Sequence, residues 1–98
     1  MKTSDKPEVI VSQTGGSFKV LQVHGKAGMI MPLHYSTMEA VIVVLAGSAI
    51  LETEPKKHIL QEGDSFVIPA RQKLSLSLKA DFKTLVVMAQ DSRIEFAD

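Results

Sequence analysis

The sequence has no cysteine, no tryptophan and a single tyrosine, Tyr35. Without cysteine there are no disulfides and no thiolate-held zinc, so a stable core has to come from apolar packing. So few aromatics argue against the stacking platforms that hold single-stranded nucleic acid. An excess of one charge is also lacking, because 11 Lys and Arg balance 11 Asp and Glu. With no basic surplus, neither nucleic acid nor an anionic membrane is expected as a partner. Long apolar runs are missing too. The strongest, Ala40 to Leu51, is interrupted by Gly47 and Ser48 and falls short of the roughly 20 residues of a spanning helix. Met1 to Gly16 is polar and has no apolar stretch of an export signal, so the expected location is the cytoplasm.

What is present is a chain of 98 residues, 45% apolar, enough for one domain with an ordinary core and too little for two. Turn residues recur at close intervals: Gly15-Gly16, Gly25 to Gly28, Gly47, Glu54-Pro55-Lys56, Glu62-Gly63-Asp64, Pro69 to Gln72 and Ala80-Asp81. The pieces between them are short and rich in Val, Ile and Thr, which reads as an all-β protein. Strands are expected at Val9–Ser12, Phe18–His24, Met29–Leu33, Val41–Glu52, His58–Gln61, Ser65–Ile68, Leu74–Lys79 and Lys83–Gln90. That divides the single domain, 1–98, into an N-terminal arm or edge strand (1–16), a core (17–90) and a C-terminal tail (91–98).

Alternation sorts faces. Leu74, Leu76 and Leu78 alternate with Ser75, Ser77 and Lys79, so the leucines face a core and the others face water. Val41–Leu45 and Leu85–Ala89 are apolar on both faces. An antiparallel strand usually has one wet face, and a second copy of the chain is the expected cover.

Two spacings carry further information. Gly28, His34 and Gly47 stand in the pattern Gly, five residues, His, and onward to Gly; Gly63 and Pro69 repeat the Gly, five residues, Pro interval. In this the chain resembles the small single-domain cupins, from about Phe18 to Ala89. The resemblance implies an antiparallel cupin-type jelly-roll β-barrel built around an internal cavity. It departs from the family pattern where metal is held. The second histidine position is Ser36, the glutamate position is Ala40 with Glu39 one residue early, and the later histidine position is Leu74. Arg71 replaces the glycine two residues after Pro69, and Leu78 replaces the asparagine.

The resemblance places His34 at the barrel mouth beside Tyr35 and Ser36, where an imidazole can serve as donor, acceptor or base. Arg71, on the mouth loop, can recognise a carboxylate. Met31, Met38, Leu74 and Met88 are expected to line an adaptable apolar pocket. No cofactor is expected. The leading reading is a metal-free barrel that binds or senses a small molecule. One alternative is a metal-dependent enzyme of the dioxygenase or isomerase kind using His34 and Glu39. It needs a bulge near Thr37–Met38 to turn Glu39 inward and a third ligand from His24 or His58. Another is a dimerising scaffold without a pocket. No nucleophile elbow or phosphate loop is present, and Gly15-Gly16 reads as a hairpin turn.

Overall fold

The computed structural model describes residues 6–53 and 56–97, which form ten strands and no helix. Residues 1–5 of the expected arm, Glu54 and Pro55 of an expected turn, and Asp98 lie outside the described residues. In chain order the strands are β1 (Glu8–Thr14), β2 (Phe18–Gly25), β3 (Ile30–Ser36), β4 (Ala40–Ala46) and β5 (Ser48–Thr53). They continue with β6 (Lys57–Gln61), β7 (Ser65–Ile68), β8 (Leu74–Leu78), β9 (Phe82–Ala89) and β10 (Ile94–Phe96). Two five-stranded sheets result, ordered β1-β2-β9-β4-β7 and β10-β3-β8-β5-β6. Every pairing is antiparallel. The architecture is a jelly roll of two facing open sheets.

The core lies between the sheets and follows the alternation of each strand. Leu74, Leu76 and Leu78 of β8 are buried, as are Phe82, Thr84, Val86 and Met88 of β9. Burying the three leucines alone contributes about 5–9 kcal/mol of gross apolar transfer, on the scale of a small domain's whole net stability. Thr84 is a polar group in this layer, and its hydroxyl donates to the Val43 carbonyl at 2.5 Å. Among the described residues no buried side-chain nitrogen or oxygen lacks a partner.

The expected single strand Val41–Glu52 is two strands in two different sheets, divided at Gly47. Gly47 has φ +84°, and a Cβ there would collide with the Asp81 carbonyl oxygen and lie 3.0 Å from the Phe82 Cα. Only a residue without a side chain turns this corner. The expected tail also contains a strand. β10 pairs with β3 through Ile94↔Ser36, Glu95↔Tyr35 and Phe96↔His34. Ser92 holds the approach to it: its hydroxyl accepts the Met38 N–H at 3.2 Å, and its carbonyl accepts Lys19 Nζ at 2.6 Å.

The turn after β7 carries a different strain. Arg71 has φ +64°, the left-handed region, and its N–H donates to the Ser36 carbonyl at 2.8 Å. That conformation explains why a glycine suits this position in the pattern that the chain resembles.

Two stability measurements follow, both by urea unfolding. Gly47→Ala should lose about 3 kcal/mol or more; a loss below about 1 kcal/mol would show that the corner relaxes freely. Arg71→Gly relieves about 1–2 kcal/mol of left-handed strain and adds about 0.5–1 kcal/mol of unfolded-chain entropy. The variant should therefore hold stability or gain up to about 1.5 kcal/mol. A clear loss would mean that the guanidinium itself secures the turn.

Candidate functional site

The site begins with a register shift in β3. Met31 pairs with Leu76 and His34 with Leu74, so three steps along β3 match two along β8. Pro32, which has no N–H to give a ladder, lies inside this bulge. Residues three apart on a regular strand point to opposite faces. Here the extra residue brings both Met31 and His34 to the interior.

That interior holds a cavity of about 50 Å³, lined by His34 and Ser36 among apolar side chains that include Met31, Leu74, Leu76, Val86 and Met88. A water molecule needs about 10–15 Å³ of such space, so the cavity accommodates a few water-sized atoms. Ligand pockets of about 300–1,000 Å³ are far larger. A wider surface groove of about 630 Å³ lies where β2 ends and β9 begins, lined by residues such as His24, Met29, Phe82 and Lys83. It shares no residue with the cavity, and of the expected site residues it holds only His24, a candidate third ligand of the metal reading.

His34 is half-buried and fixed on two sides. Its Nδ1 lies 2.6 Å from the Pro32 carbonyl oxygen, which can only accept, so Nδ1 carries the proton. Its ring meets Phe96 of β10 at 5.6 Å between centroids, tilted by 43°. Burial pushes the imidazole below its ordinary value, and the hydrogen bond to Pro32 offsets only part of that. The ring is neutral at pH 7, and Nε2 is left with its lone pair.

The other expected residues divide. Met31, Ser36, Leu74 and Met88 line the cavity with His34. Tyr35, Met38 and Arg71 do not. Tyr35 falls on the opposite face of β3, across from Glu95. Met38 is 42% exposed beyond the strand end, and Arg71 is exposed on its turn. Sequence reading missed Ile94, Val23, Ile42, Ile68 and Thr84, which also line the cavity. For Ile94 the signal was present: Ile94-Glu95-Phe96 is a short apolar–polar–apolar alternation.

The donor set does not fit a metal ion. The four positions at which the family pattern places ligands, His34, Ser36, Ala40 and Leu74, do converge on this one cavity. Only one is an imidazole. The Ser36 hydroxyl donates to the Met38 carbonyl at 2.8 Å, and Ala40 and Leu74 have nothing to offer. A divalent ion needs about three or four donors. The pairing of His34 with Glu39 is also overturned. β3 bulges between Met31 and His34, upstream of Thr37–Met38; Glu39 is exposed, and Ala40 lines the cavity in its stead. His24 bonds Gln22 at 3.0 Å, His58 packs on Phe66 at 4.7 Å, and neither lines the cavity. Among the described residues no group of three or more His, Asp or Glu is placed to share an ion.

Comparison with known proteins agrees with this geometry. The structure is similar to an uncharacterized conserved protein with a double-stranded β-helix domain from Klebsiella pneumoniae. That match has TM-score 0.86 and 16% identity, covering 100% of this chain and 90% of the other. It is also similar to an RmlC-like cupin protein from Desulfovibrio desulfuricans, with TM-score 0.76 and 23% identity over 92% and 89% of the two chains. A variant of salicylate 1,2-dioxygenase from Pseudoaminobacter salicylatoxidans, in complex with gentisate, matches with TM-score 0.80 and 18% identity. It covers 94% of this chain but 29% of that enzyme. At such identities these likenesses establish the fold alone. No curated protein sequence matches the chain. The family model for the cupin domain matches residues 21–88, and the chain belongs to the cupin family.

Proposed function

We propose that this cupin binds a small, mostly apolar molecule bearing one hydrogen-bond donor, and does so without a metal ion. The observation that supports it is a neutral imidazole, its Nδ1 proton committed to Pro32, set among apolar side chains at a small cavity. A ligand that covers this nitrogen has to offer it an O–H or N–H, because covering a polar group without pairing it is costly. The size of the cavity restricts the ligand to a few heavy atoms. Met31 and Met88 are flexible enough to reshape around it. In this reading Met31, His34, Ser36, Leu74 and Met88 form the binding set, and the protein works in the cytoplasm.

Neutrality of His34 has a pH signature. Just below the ordinary imidazole value of 6.5 the unfolded chain binds a proton at this ring that the folded chain does not. Unfolding free energy therefore rises with pH across that window. The contribution of His34 is complete above 6.5 and falls as the pH drops towards the lowered folded value. His34→Gln should flatten this part of the profile; parallel profiles for both proteins would exclude a His34 held neutral by its surroundings.

Binding itself can be probed with 1-propanol, a short apolar body with one hydroxyl. Methyl-labelled Met31 and Met88 should show saturable NMR shifts, with affinity about tenfold weaker in His34→Leu, the loss of about one hydrogen bond. Absent shifts, or equal affinity in the variant, would sink the binding reading. Protein purified without chelator should carry only trace metal. Stoichiometric iron, zinc, manganese or nickel that disappears in His34→Ala would overturn the metal-free reading.

A further inference from the structure

The wall of the cavity beside His34 is held unevenly. Among the ten described strands only β1 and β10 bury no residue, and of these two only β10 lines the cavity, through Ile94. It is also the shortest strand, three residues at the outer edge of its sheet, paired with β3 alone. Its two ends differ. The entry is anchored: Ser92 is fully buried, the Arg93 N–H donates to the Thr37 hydroxyl at 3.0 Å, and the Arg93 carbonyl accepts the Thr37 N–H at 2.9 Å. At the far end Phe96 is 51% exposed. Its ring rests against His34 and carries the Lys6 ammonium 5.2 Å from its centroid, and the Ala97 N–H donates to the Leu33 carbonyl at 2.9 Å.

We infer that β10 is a flap that swings about Ser92–Arg93 and admits small molecules to the cavity. The flap deepens the binding reading above, which needs a route to His34, and rests on it for the identity of what enters. Every other strand that lines the cavity contributes buried side chains to the core, so moving it would expose them. Moving β10 breaks a ladder of three residue pairs and uncovers no core side chain of its own. Edge segments with few buried apolar contacts are the ones that open locally. Alternation makes the swing effective. Ile94 and Phe96 share one face of the strand and Glu95 the other, so a single movement withdraws both the cavity wall and the ring that rests on the imidazole. It also widens a space that is only about 50 Å³ when closed.

Oxidation by hydrogen peroxide reads access to the cavity, because Met31 and Met88 line it and are buried, whereas Met38 is 42% exposed. A disulfide in Tyr35→Cys/Glu95→Cys locks the flap. The two positions are register partners on the face turned from the cavity, about 5.5 Å apart as an antiparallel pair and within disulfide reach. The control, Val20→Cys/Val87→Cys, links register partners of the other sheet across a loop of similar length and leaves β10 free. By peptide mass spectrometry, sulfoxide should form at Met31 and Met88 about tenfold more slowly in the locked protein than in the control, with Met38 equal in both. Equal rates at Met31 and Met88 overturn the flap. If either link does not form, Phe96→Ala decides: loss of the ring should speed oxidation of both buried methionines about threefold, and unchanged rates overturn the flap. Saturable 1-propanol shifts at the same methionines report binding separately. Gated oxidation without those shifts keeps the flap and removes the ligand reading; shifts with ungated oxidation do the reverse.

Discussion

The close approach of Gly47 to the Asp81 carbonyl is the constraint on which the rest of this structure depends. Between Ala40 and Thr53 one nearly continuous apolar segment supplies strands to both sheets, and it changes sheet at this residue. β4 then lies between β9 and β7, and β5 between β8 and β6. Both strands direct alternate residues into the same layer, Ile42 and Val44 from one side, Ala49 and Leu51 from the other. In a domain this small a single core must serve every strand. A side chain at position 47 would separate the β4–β5 corner from the start of β9 and open that core at one end.

Beside this long-range constraint stands a local one, the bulge at Pro32. It gives β3 two consecutive functions: Met31 fills the core, and three residues later His34 faces the same space. The hydrogen bond from Nδ1 back to the Pro32 carbonyl fixes both the ring and its tautomer. β10 then closes the outer edge of β3, setting Phe96 against His34 and Ile94 over the cavity. The polar end of the site is thus assembled at one edge of one sheet, with Leu74 and Leu76 from the adjacent β8, while the facing sheet supplies Ala40, Val86 and Met88 to the lining.

Much of this was legible in the residues. The glycines and Pro69 marked the turns, the Leu-Ser alternation of β8 gave its faces, and the glycine spacing brought Gly28, His34, Gly47, Gly63 and Pro69 into the pattern of the fold. What escaped was register. Gly47 was visible as a break but not as a change of sheet, because the collision that demands it comes from Asp81, 34 positions away in sequence. The glycine and histidine spacing points to Thr37–Met38 for the bulge that would turn Glu39 inward, whereas the proline that marks the real bulge is upstream. Tyr35 and Met38 were placed by adjacency to His34, and strand alternation and the end of β3 carry them away from the cavity. Arg71 was placed by its loop, and the loop faces solvent.

The chemistry of His34 follows from what replaces its potential partners. Where carboxylate or imidazole donors would keep an interior polar and hydrated, Ala40 and Leu74 make it apolar and leave a cavity of only about 50 Å³. Apolar surroundings disfavour the imidazolium, so the same substitutions that remove metal donors also hold His34 neutral. A neutral ring with Nδ1 protonated is a hydrogen-bond acceptor at the edge of a mostly apolar cavity. Under the proposed function such a group would discriminate, because a bound molecule that covers it without pairing it incurs the desolvation penalty of an unpaired polar atom. In the proposed binding reading, selectivity for a donor-bearing ligand therefore rests on this one imidazole and on the apolar walls around it.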